Sequence, residues 1–122
     1  MVRGATSTTF VIKKHEMEFE RRYDDQGLVA VLISPGFGAG WSTWADPEQR
    51  EATLFDSRLV DFVLAHGAEG LGAYAESLGY TGYMGGAEDV RVEWLEHGTR
   101  FVVEEYDGSE SIRTFDDLCY VA

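Results

Sequence analysis

The stretch Ser34-Pro35-Gly36-Phe37-Gly38-Ala39-Gly40-Trp41-Ser42-Thr43-Trp44 combines residue types that can hold a ligand. Gly36, Gly38 and Gly40 permit unusual backbone angles and let a ligand approach main-chain amides. Ser42 and Thr43 supply hydroxyl donors, and Trp41 or Trp44 offers an indole to stack on a base or sugar ring. A helix start just beyond adds partial positive charge that favours an anion. Together these suit a small anionic, nucleotide-like ligand. The spacing Gly-x-Gly-x-Gly is not the dinucleotide fingerprint. Trp41 stands where a phosphate-binding loop needs lysine, which argues against ATP or GTP hydrolysis. The competing reading is a rigid loop whose tryptophans plug the core.

A second cluster is Glu104-Glu105-Tyr106-Asp107-Gly108-Ser109-Glu110-Ser111. Strand alternation puts Glu104 and Tyr106 on one face and Glu105 on the other, with Glu110 across a hairpin from them. Carboxylates so grouped hold a hard cation, act as general base or grip an arginine. Calcium-loop spacing is missing, so the choice is between an acidic interaction face (Glu104, Glu105, Asp107, Glu110) and a solvated hairpin tip. His15, His66 and His97 lack paired ligand spacing, so neither a metal nor a cofactor is expected. Cys119, among Leu118, Tyr120 and Val121, reads as packing. Arg91, Arg100 and Arg113 are expected to be structural ion-pair partners. No complete catalytic constellation is legible, and an enzyme is the less favoured class.

These clusters need elements to position them. Leu28 to Ile33 is an unbroken apolar run rich in β-branched residues and predicts a strand buried on both faces at the centre of a sheet. It leads into the glycine-rich loop. Asp46-Pro47-Glu48-Gln49 reads as a helix start. Asp56 offers a second start, giving a helix to His66 that Gly67 ends. Leu71 to Leu78 predicts a second helix, ending at Gly79. Tyr80 to Met84 is a weak strand, and Val90 to Leu95 alternates as a stronger one. Asp107-Gly108 is a strong hairpin signal joining Arg100–Tyr106 to Ser109–Phe115. Upstream, Phe10 to Lys13 and Glu16 to Tyr23 read as short strands before an Asp24–Gly27 turn. The expected architecture is α+β: a mixed, mostly antiparallel sheet with two helices on one face and a C-terminal meander. Residues 1–27 form an arm or edge strands, and residues 28–122 a single domain.

Bulk properties narrow the partners. The 122 residues suit one domain, and 44% hydrophobic content is enough for a core. A single cysteine, no long apolar run and no secretory-type leader lead to the expectation of a soluble cytoplasmic protein. Net charge is −12, and it is uneven: residues 1–23 are net +2, while residues 24–122 contain no lysine and are net −14. Such a field disfavours direct binding to nucleic acid or membranes and favours a basic partner surface. A homodimer is a general expectation for so small a chain.

The runs VLISPGFGAGWSTW (Val31–Trp44) and FVVEEYDGSESI (Phe101–Ile112) resemble a group of small proteins encoded by tailed phages. The resemblance spans about Leu28 to Ile112 and implies a phage accessory protein acting in the cytoplasm of an infected bacterium, often against host defence. No catalytic residue carries over from it. Three functions follow as expectations. The first is sequestration of a small anionic nucleotide-like ligand in a pocket formed by Gly36, Gly38, Gly40, Trp41, Ser42, Thr43 and Trp44. The second is an acidic, nucleic-acid-mimicking inhibitor, of the anti-CRISPR kind, that blocks a basic channel of a host enzyme. The third is a small nucleotide-processing enzyme using the hairpin carboxylates.

Overall fold

The computed structural model describes residues 17–82, 85–114 and 120–122. The expected strand at Phe10–Lys13, His15 and Cys119 lie outside the described residues. The chain folds as α+β, with elements in the order β1 (Val29–Ile33), α1 (Arg50–Phe55), α2 (Ser57–His66), α3 (Leu71–Ser77), β2 (Arg91–Leu95), β3 (Arg100–Tyr106), β4 (Ser109–Thr114) and β5 (Tyr120–Val121).

β1 is the apolar run, and each of its residues is buried, as a strand covered on both faces requires. It does not sit at the centre of one large sheet. It pairs with β2 in a two-stranded antiparallel sheet, while β4, β3 and β5 form a separate three-stranded one. The expected mixed sheet is therefore two antiparallel sheets. The expected meander shrinks to the β3–β4 hairpin, because β2 reaches back across the helices to pair with β1.

Side-chain alternation along β1 builds two cores. Ala30 and Leu32 face Trp41, Leu59, Val60, Leu71, Ala75 and Tyr80; Val92 and Trp94, directly opposite on β2, pack against the same cluster. Val29, Val31 and Ile33 face the other way, toward Leu54, Phe55 and Phe101. Thus α2 and α3 cover one face of β1. The short helix α1, which follows the expected start at Asp46–Gln49 and ends at the second expected start, Asp56, supplies Leu54 and Phe55 to the opposite face. Residues 17–28, ahead of β1, pack against both layers: Ala30 N donates to Arg22 O at 2.9 Å, Ser57 N donates to Glu20 O at 2.7 Å, and Phe19 touches both cores.

Helix ends follow local chemistry. Asp46 does not cap a helix with its side chain; it accepts instead from Thr81 Oγ1 at 2.6 Å. Asp56 is the effective cap. It ends α1 and opens α2, its Oδ1 accepting from Arg58 N at 2.9 Å. Its carboxylate is buried, and it also binds the Arg58 guanidinium and accepts from Tyr80 Oη at 2.7 Å. Burial works against the Asp56 charge, but hydrogen bonds from Arg58 and Tyr80 outweigh it and hold its pKa below the ordinary 3.8. Burial, with the Asp56 bond, pushes the Tyr80 phenol upward, so it stays a donor.

This junction ties α1, α2 and the start of the return chain to one carboxylate. Replacing Asp56 with alanine removes a cap and strands a buried phenol, and should cost about 2–4 kcal/mol in urea denaturation. A folded pKa below the unfolded one stabilises the protein above the ordinary carboxylate pKa and loses that contribution as pH falls through the folded value. Thermal melts below about pH 4 should therefore fall more steeply for the wild type than for Asp56→Asn.

Candidate functional site

The two motifs meet at one place. Strand register puts Glu110 opposite Glu105, with Val103–Ile112 and Phe101–Thr114 next along the same face. That face carries Phe101, Val103 and Ile112 into the second core. Glu110 therefore points inward, and at 1% exposure it is buried. It is not part of an exposed acidic face, which corrects the expectation from sequence. The parity that separates Glu104 and Tyr106 from Glu105 is as expected.

The inward carboxylate meets the glycine-rich loop. Glu110 Oε1 accepts from Ser34 N at 2.9 Å. Its Oε2 accepts from Trp41 N at 2.6 Å, Thr43 N at 3.1 Å and Thr43 Oγ1 at 2.6 Å. The loop amides thus converge on an anion, as the glycine pattern suggests, but the anion is the protein's own. Such charge-assisted bonds are shorter and stronger than neutral ones, and they satisfy a carboxylate that burial would otherwise penalise heavily.

Three further hydrogen bonds close the seam. Glu110 N donates to Ser34 O at 2.8 Å, Gly38 N donates to Asp107 O at 2.8 Å, and Ser109 Oγ donates to Pro35 O at 2.7 Å. The hairpin turn has φ of 53° at Asp107 and 88° at Gly108, the pair of positive values that a two-residue type I′ turn needs. Gly108 is also a close-approach position, since a Cβ there would run into Ala39 N. At Gly40 the constraint is space alone: a Cβ would stand 2.7 Å from Trp44 Cδ1 and 2.9 Å from Glu110 Oε2.

The other loop residues fall into place around this seam. Trp41 is 0% exposed, and its Nε1 donates to Thr53 O at 2.7 Å. It is a core plug and offers no face for a base to stack on, a correction to its proposed ligand role. Ser42 is buried, Thr43 is half-buried and bound to Glu110, and Trp44 is 39% exposed. Gly36 lies against the Asp89 carboxylate, and Gly38 has a φ of 111°.

What the seam does present outward is aromatic. Phe37, lifted between Gly36 and Gly38, is 69% exposed, and Tyr106 at the end of β3 is 79% exposed. Both line one open depression of about 510 Å³, with Glu104, Glu105, Ser109 and Ser111. Sequence reasoning placed Tyr106 with Glu104 but did not single out Phe37. The available signal was a large aromatic flanked by two glycines, which leaves it little main-chain cover. Glu104 Oε2 accepts from Arg113 Nη1 at 2.9 Å, which bears out a structural ion-pair role for that arginine. Glu105 Oε2 accepts from Gly108 N at 2.6 Å.

A smaller cleft of about 270 Å³ lies between Phe19, Arg50 and Tyr120, where burial raises the Tyr120 phenol pKa. Among the described residues no group of three His, Cys, Asp or Glu side chains is placed to hold a metal ion. No described helix is long and apolar enough to cross a membrane. No protein-family model, curated protein or solved structure matches the chain.

Because one carboxylate satisfies four donors, Glu110→Gln should destabilise the fold by about 2–4 kcal/mol in urea denaturation, since its amide hydrogens would face donors. Gly108→Ala should cost about 1–3 kcal/mol through strained φ and the clash with Ala39, with Gly98→Ala as the comparison free of a steric neighbour.

Proposed function

We propose that this chain is a non-catalytic binding protein that docks the acidic, aromatic end of its β3–β4 hairpin on a basic surface of another protein. The observation that supports this reading is the exposed pair Phe37 and Tyr106 on one depression with Glu104 and Glu105. Exposed aromatic rings rimmed by polar groups are characteristic of protein-binding surfaces. A net charge of −12 selects basic partners and speeds encounter with them. The resemblance to small tailed-phage proteins supplies a setting, an accessory protein acting on a host enzyme whose basic channel otherwise holds nucleic acid.

The small-anion reading has less support, because a ligand would have to displace Glu110 from the amides of Trp41 and Thr43. The enzyme reading requires a free pair of acids. Yet Glu110 is buried in the seam, Glu104 pairs with Arg113, and Glu105 is bound to the turn.

A mixed arginine–lysine decapeptide is a suitable probe, titrated calorimetrically at several salt concentrations. Its affinity should fall about tenfold or more between about 50 and about 300 mM salt. The triple variant Glu104→Gln, Glu105→Gln, Asp107→Asn should bind about fivefold or more weaker than a control of equal net charge, Glu69→Gln, Glu76→Gln, Glu93→Gln. Equal weakening in both variants would show that bulk charge, not the hairpin, does the binding. Tight binding of ATP or a cyclic dinucleotide with no hairpin dependence would return the loop-ligand reading.

A further inference from the structure

Resting on the docking reading above, we infer that the depression between Phe37 and Tyr106 is a seat for an arginine side chain of the partner. Two features of the seat match a guanidinium. It is planar and weakly hydrated, so it stacks on exposed aromatic faces more readily than an ammonium does. Its fork of N–H groups also matches carboxylates at the edge of the rings. Phe37 and Tyr106 line the seat with their rings, and Glu104, on the same face of β3 as Tyr106, supplies the carboxylate.

The same chemistry is already at work inside this chain. The Arg21 guanidinium lies 4.3 Å from the centre of the Phe55 ring, while its Nη2 donates to Glu51 Oε2 at 3.3 Å. Glu104 itself is in register to accept a guanidinium, since it does so from Arg113 at 2.9 Å. Arg113 and a partner arginine would share that carboxylate, one on each of its sides, while Glu105 stays bound to the turn. Ser109 is committed to Pro35 O, which leaves Ser111, exposed on the same outer face of β4, as the polar floor.

A lysine would gain the charge attraction but would stack less well and lack the fork. The seat therefore predicts a preference that net charge cannot produce. Paired peptides of equal length and charge, one bearing arginines and one lysines, would be titrated into the full chain at fixed salt. The arginine peptide should bind about five- to tenfold tighter. Phe37→Ala and Tyr106→Ala should each remove most of that preference while leaving lysine-peptide affinity within about twofold, and Tyr106→Phe should retain it. Both side chains are largely exposed, so folding is unaffected and circular dichroism verifies it.

Equal affinity for the two peptides, with hairpin-charge dependence intact, would overturn the arginine seat and leave the acidic docking surface standing. Binding that ignores both the rings and the hairpin carboxylates would overturn both.

Discussion

A buried carboxylate surrounded by donors joins the two halves of this molecule. Glu110 takes hydrogen bonds from Ser34 N, Trp41 N, Thr43 N and Thr43 Oγ1, so one side chain of β4 fixes the backbone of the loop that leaves β1. A loop with several inward amides and no partner for them would be costly to bury. A buried glutamate with no donors would cost more. Each solves the other's problem, and the result ties the three-stranded sheet to the end of β1.

Everything around that seam is arranged by close approach. Trp41 can fill the first core because its amide is held at Glu110 and its indole at Thr53 O. Gly108 lets the hairpin turn lie against Ala39, and Gly86 lies against the carbonyls of Ala39 and Gly40. β1 then has a full layer on each face: Ala30 and Leu32 on the side of α2 and α3, and Val29, Val31 and Ile33 on the side of Phe55 and Phe101. The outward consequence is that Phe37 and Tyr106, on either side of the seam, have no place inside. A loop that binds its own anion displays aromatics in place of amides.

Much of the local structure was legible in the sequence because it is set by short-range chemistry. The apolar run of β1, the Asp56 cap, the glycine after α2 and the Asp107-Gly108 turn each act through neighbours within a few residues. Strand partnership was not legible, because β2 pairs with β1 across an intervening helical layer rather than with the adjacent β3. Glu110 reads as surface in the sequence for the same kind of reason. Parity could place it on the face of Glu105, but only the tertiary contact with Ser34 and Trp41 makes that face an interior. Residue types alone suggest an anion cradle in the glycine-rich loop; that its anion stands about seventy residues along the chain is a property of the fold.

The functional account depends on this seam staying closed, since an open loop would offer its amides to a ligand and let the Phe37–Tyr106 surface fall apart. Native-state amide hydrogen exchange of Trp41 and Thr43 tests that most directly. If Glu110 holds the loop as described, both amides exchange only on global unfolding, with opening free energies within about 1 kcal/mol of those in β1. Exchange through a local opening several kcal/mol easier than global unfolding, on the order of an ordinary exposed loop, would contradict it.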